Sequence, residues 1–119
     1  MRLEWISEDA TAVCVRAVGD VSPDAFAPPD DALAVRFGEA IYQRAVLLSL
    51  ADVGYIDSRG VGWLLLCHKR FRERGGILVV HSMRADVSRV LSVLRMDLVM
   101  DLAPDEATAR AKATATSGA

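Results

Sequence analysis

The chain has only two cysteines, Cys14 and Cys67, in 119 residues. Both lie inside apolar segments, so buried reduced thiols are expected rather than a disulfide framework. Its two histidines, His68 and His81, are too isolated to build a zinc site with them, and no metal is expected. No Gly-x-x-x-x-Gly-Lys run is present to cradle nucleotide phosphates. No nucleophile, histidine and acid share a defensible spacing. The chain therefore reads as a non-enzyme with no catalytic residue and no cofactor. No basic block stands out and the formal net charge is −2, which argues against a nucleic-acid partner. No apolar run approaches the ~20 residues of a membrane span, so direct membrane insertion is not expected. Met1-Arg2 is followed by Leu3-Glu4-Trp5, a charge where the apolar core of a signal peptide would begin. The expected location is the cytoplasm.

What is present suits one globular α/β domain. Hydrophobic residues make up 52% and charged residues 25%. Residues 2–7 and 11–18 alternate in polarity around a turn-like Ser7-Glu8-Asp9-Ala10, which predicts a β-hairpin. Residues 19–31 carry Pro23, Pro28 and Pro29 with four aspartates and read as a loop, with room for a helical turn at Pro23–Phe26. Asp30 caps an expected helix running to about Arg44. Val46–Leu50 is a short, nearly unbroken apolar strand, of the kind covered on both faces or paired centrally. A helix follows from Ser58 to about Arg74, with Gly75 as its left-handed stop. Ile77–Val80 is another buried strand. Ser82 is expected to cap a helix from about Arg84 to Arg95, and Leu98–Met100 to form the last strand. Pro104-Asp105-Glu106-Ala107 opens a final helix. Ala113–Ala119 has little to bury and should fray. This order predicts a mixed central sheet, antiparallel at the N-terminal hairpin and then parallel.

The chain is organised around Val53–Leu66. An apolar strand leads in, Asp57-Ser58-Arg59-Gly60 turns the chain, and a helix begins at once. The first helical N–H groups have no partners and the dipole is positive there, so the turn tolerates negative charge. A serine hydroxyl, that of Ser58, sits in it. Two roles are compatible: Ser58 caps the helix, or it accepts a phosphate that adds about −1.5 to −2 charges and three acceptor oxygens. Asp57 either caps the turn, the favoured reading, or steadies the serine and binds a metal delivered with a nucleotide. Arg59 either pairs with an added phosphate or is a solvated charge. Small-ligand binding at the helix start is a weaker third reading.

The run Val53-Gly54-Tyr55-Ile56-Asp57-Ser58-Arg59-Gly60-Val61-Gly62 resembles the signature of STAS domains, the anti-sigma factor antagonist (anti-anti-sigma factor) family. The likeness spans roughly residues 11–110. It takes in the apolar strand before the signature, the basic helix end before Gly75-Gly76, the strand Ile77–Val80, and the helix Val87–Leu94 before Met96-Asp97. The resemblance implies a single STAS-like domain with helices mainly on one face of the sheet. We take the domain as residues 1–112 and residues 113–119 as a disordered tail. It also implies that Ser58 is phosphorylated by a partner anti-sigma factor serine kinase, with Asp57, Arg59 and Gly60 supporting the site. Phosphorylation would block binding to that kinase, and a serine phosphatase would reset the switch. Two positions depart from the family pattern. Gly19-Asp20-Val21-Ser22 stands where the family often has Gly-x-Leu-Asp, so the acid is missing from its place and Asp20 or Asp24 is left to substitute. Ser49 stands where an acid or amide is common. Other family members are unmodified scaffold subunits of signalling complexes or of membrane transporters, and that role is the alternative. Homo-oligomer formation stays open.

A helical projection of the segment after Ser58 places Val61, Leu64, Leu65 and His68 on the core side, with Phe71 at its margin. Trp63 and Leu66 fall near the opposite side. They form a candidate partner surface beside Ser58 unless loop 19–31 or the hairpin covers Trp63.

Overall fold

A computed structural model describes residues 2–21 and 32–117. The expected loop interior with Asp24, the helical turn at Pro23–Phe26 and the Asp30 cap lie outside them. The strands are β1 (Arg2–Glu8), β2 (Val13–Val18), β3 (Ala45–Asp52), β4 (Ile77–His81) and β5 (Asp101–Ala103). The helices are α1 (Ala32–Phe37), α2 (Ser58–Arg74), α3 (Ala85–Val93) and α4 (Glu106–Ser117). The sheet runs in the order β1-β2-β3-β4-β5, antiparallel between β1 and β2 and parallel from there on. The expected mixed sheet with an N-terminal hairpin is the one that forms.

Asp9 makes the hairpin turn. Its Oδ1 accepts from the Thr11 N–H at 2.8 Å, the Thr11 hydroxyl at 2.7 Å and the Ala12 N–H at 3.0 Å. Those bonds hold its carboxyl well below the usual carboxylate range. Arg110 of α4 reaches back to Asp9 Oδ2 at 2.8 Å, which ties the last helix to the first turn.

The apolar run of β3 divides by pleat. Val46, Leu48 and Leu50 join the large core beneath α1, α2 and α3, with Val13, Val15, Leu78 and Val80. Leu47 points the other way and packs with Cys14, Val79, Ala109 and Ala113 under α4. Both cysteines are buried, as their apolar settings predicted.

Four local expectations are corrected. The helix expected to reach Arg44 breaks at Gly38, whose φ of +89° suits glycine and few other residues, and the chain continues as a 3-10 turn over Glu39–Gln43. Ser82 does not cap α3. It sits at φ +61° and its hydroxyl lies 2.8 Å from His81 Nδ1, while Arg84 holds the cap position with no side-chain bond. The expected strand at Leu98–Met100 is instead the end of a 3-10 turn over Met96–Leu98, and β5 starts at Asp101. The expected boundary at residue 112 falls inside α4, which continues to Ser117 and buries Ala113 because small side chains let the helix lie close on the sheet.

Between the start of α4 and the hairpin, the α4 face of the sheet holds a shallow cavity of about 180 Å³ lined by Cys14, Arg16, Ser49 and His81 among others. Burial pushes the His81 imidazole below its ordinary 6.5, against the opposing pull of Glu106 and Asp105. A depressed base contributes stability above its unfolded value that is lost as pH falls through the folded one. Thermal unfolding is therefore expected at lower temperature at pH 5 than at pH 7. His81→Gln is expected to flatten that dependence, and an unchanged pH profile in the variant would contradict the assignment.

Candidate functional site

The segment between β3 and α2 is held by backbone bonds to the strip that follows β2. Gly19 N–H donates to Asp52 O at 3.2 Å, Val21 N–H to Tyr55 O at 2.9 Å, and Asp57 N–H to Val21 O at 3.4 Å. Val21 and Ile56 form an isolated parallel bridge and are both buried. Asp20 is exposed within this strip, so the structure brings it beside the segment that leads to Ser58.

Asp57 is the N-cap of α2. Its backbone is extended (φ −112°) and its Oδ1 accepts from Gly60 N–H at 2.9 Å. The favoured reading of Asp57 as a cap is the one observed. One of the helix's orphan donors is thereby satisfied. Asp57→Ala is expected to cost about 1 kcal/mol, read as a lower denaturant midpoint at unchanged slope.

Ser58 is the first residue of the helix. It is exposed, and its hydroxyl makes no hydrogen bond among the described residues. Arg59 beside it is exposed as well. Gly60 turns inward, and a Cβ there would press into the Val21 carbonyl oxygen and lie 2.8 Å from Ile56 Cγ1. Thus Asp57 caps, Gly60 allows close approach, and Ser58 and Arg59 face solvent.

The core face of α2 is rotated from the projected one. Gly60, Val61, Trp63, Leu64, Cys67 and Phe71 are buried, while Leu65 and His68 lie only half-buried at the margin. Trp63 is 3% exposed, so it is a core side chain and not an interface residue. Further along the helix there is a second wall. The turn 39–43 packs along α2, and Tyr42 meets Phe71 edge-to-face at 5.1 Å between ring centroids. A helix covered on two sides buries a wider arc than a sheet-facing stripe. Leu66 is half-buried, on the outer side. Sequence reasoning passed over Tyr55, 52% exposed three residues before Ser58. The available signal was an aromatic in a turn with no place in either periodic pattern.

A family model for the Mlab-type STAS domain matches residues 6–102. The chain belongs to the STAS domain family. Solved structures with the same STAS fold cover nearly all of it. TM1081 of Thermotoga maritima, a candidate anti-sigma factor antagonist, superposes with a TM-score of 0.72 at 19% identity, over 94% of this chain and 92% of its own. The unphosphorylated anti-sigma factor antagonist SpoIIAA gives 0.67 at 16% identity, over 99% and 98%. A STAS domain protein of Planctomyces limnophilus gives 0.65 at 21% identity, over 95% and 97%. The turn 57–60 stands between β3 and α2 within the matched residues. No described helix is long and apolar enough to cross a membrane.

Proposed function

We propose that this STAS domain is a regulatory protein-binding module that acts by association rather than catalysis, antagonising an anti-sigma factor and switched by phosphorylation of Ser58. The observation that carries this reading is the division of labour at the turn. Asp57 does the capping, so the exposed Ser58 hydroxyl is left for chemistry. A phosphate there sits where the helix dipole favours negative charge, so the fold tolerates it. The partner docked across the turn does not. In this reading the partner is an anti-sigma factor serine kinase in the cytoplasm, and a serine phosphatase removes the phosphate. Leu66 and Asp20 border the contact.

The test is a pull-down with wild-type, Ser58→Ala and Ser58→Asp baits, reading both the captured proteins and the bait's own mass. A kinase retained by the first two and lost with the third, with a phosphate mass on the wild type, supports the switch. Equal capture by all three without any phosphate would sink it. The second reading, an unmodified STAS scaffold subunit of a signalling complex or transporter, is favoured by Gly19-Asp20-Val21-Ser22, which lacks an acid at the family's position.

A further inference from the structure

Charge is divided between two parts of the chain. Residues 58–95 hold eight Lys and Arg against two Asp and Glu, while the rest holds six against fourteen. The basic part is α2, β4 and α3, and the two helices pack on the same face of the sheet. Arg59, Arg72, Arg84, Arg89 and Arg95 are exposed there and make no ion pair among the described residues. By contrast, the acids of the hairpin are engaged: Glu4 with Arg16, Glu8 with Arg44, and Asp9 with Arg110. Within residues 58–95 the unpaired charge is therefore mostly positive.

Gly62 is the second observation. It lies inside α2, exposed, one helical turn after Ser58 and one before Leu66. Its φ is not positive, and nothing lies within 4 Å of the place a Cβ would occupy. Glycine is a poor helix former, and neither backbone nor packing requires one here. It leaves a flat spot where another backbone can come close.

We infer that the outward face of α2, floored by Gly62 and flanked by Arg59 and Arg72, docks a carboxylate-rich helix of a partner protein. This deepens the proposed switch and rests on it for the role of Ser58. Gly62 supplies close approach, and the arginines supply long-range attraction to acids. The same face carries no exposed large apolar side chain between residues 58 and 74 to enter a bilayer, so an acidic protein helix suits it better than a membrane. Phosphate on Ser58 would both repel the acidic helix and occupy Arg59.

The probe is a fluorescein-labelled, glutamate-rich helical peptide, titrated by anisotropy against the full chain at two salt concentrations. Wild type is expected to bind, more weakly at higher salt. Arg59→Glu with Arg72→Glu is expected to lower affinity by about tenfold or more. Gly62→Ala is expected to raise the thermal midpoint by about 4 °C and yet to weaken binding several-fold. That opposition is what a purely structural glycine would not give. Unchanged affinity in either variant overturns the inference. So does equal or tighter binding to phosphatidylglycerol vesicles or to a DNA duplex, which would assign the face to a membrane or to nucleic acid. Because Ser58 phosphate is read separately by mass, failure here with phosphate present leaves the switch standing.

Discussion

Gly60→Ala is expected to destabilise the protein by about 1–3 kcal/mol, with a fall in thermal midpoint of several degrees. Alanine is the better helix former, so helix propensity alone predicts the opposite sign. Packing decides. The added methyl meets the Val21 carbonyl oxygen, the Ile56 side chain and the Val21 side chain. The Val21 backbone cannot easily retreat, because its N–H donates to Tyr55 O at 2.9 Å and its carbonyl accepts from Asp57 at 3.4 Å. Any retreat also disturbs the residue that caps α2. The comparison with Gly62→Ala, two residues along the same helix, is internal to the molecule. One substitution should destabilise and the other stabilise. Urea unfolding of both variants beside the wild type decides it, and a Gly60→Ala chain as stable as the wild type would mean that the Val21–Ile56 bridge yields freely.

The largest functional effect is expected from Ser58→Asp, a loss of partner affinity of about 100-fold, equivalent to a few kcal/mol at a desolvated contact. The fold should hardly notice. A carboxylate in the first turn of a helix is worth about 0.3–1 kcal/mol in its favour, so the thermal midpoint should stay level or rise. Ser58→Ala should leave both affinity and stability near wild type, since Asp57 and not Ser58 accepts the capping bond from Gly60. Calorimetric titration of the partner recovered by pull-down gives the affinities, and a thermal scan of each variant gives the stabilities. A Ser58→Asp chain that loses affinity only because it unfolds would refute the electrostatic account.

Much of the sheet could be read from the chain, since a strand announces itself by composition. Val46–Leu50 and Ile77–Val80 are apolar runs too short for helices, and both became central strands. The start and stop of α2 were equally legible, from Asp57 at one end and Gly75 at φ +90° at the other. What failed was whatever depends on a neighbour in space. Trp63 looked outward because the wheel placed the core face by composition alone, whereas the buried arc of α2 is rotated to take it in. Gly38 looked like an ordinary helical residue because Leu33, Phe37, Ala40 and Ile41 keep helical spacing across it. Leu98 and Val99 looked like a strand, yet they are exposed on a 3-10 turn beside the edge of the sheet. At the site, the serine and its cap were readable, whereas Asp20's place depends on a pairing across more than thirty residues of chain, between Val21 and Ile56.

The spatial order of the five strands is also the order in which a ribosome makes them. Each strand after β1 leaves the tunnel with a pairing partner already made, and none has to be threaded between two earlier ones. The crossovers through α1, α2 and α3 close the large core as they appear. The opposite face has no such provision, because Leu47 and Val79 wait for Ala109 and Ala113. Among the described elements α4 is made last, so this face of the sheet stays uncovered until the residues from Glu106 onward have left the tunnel.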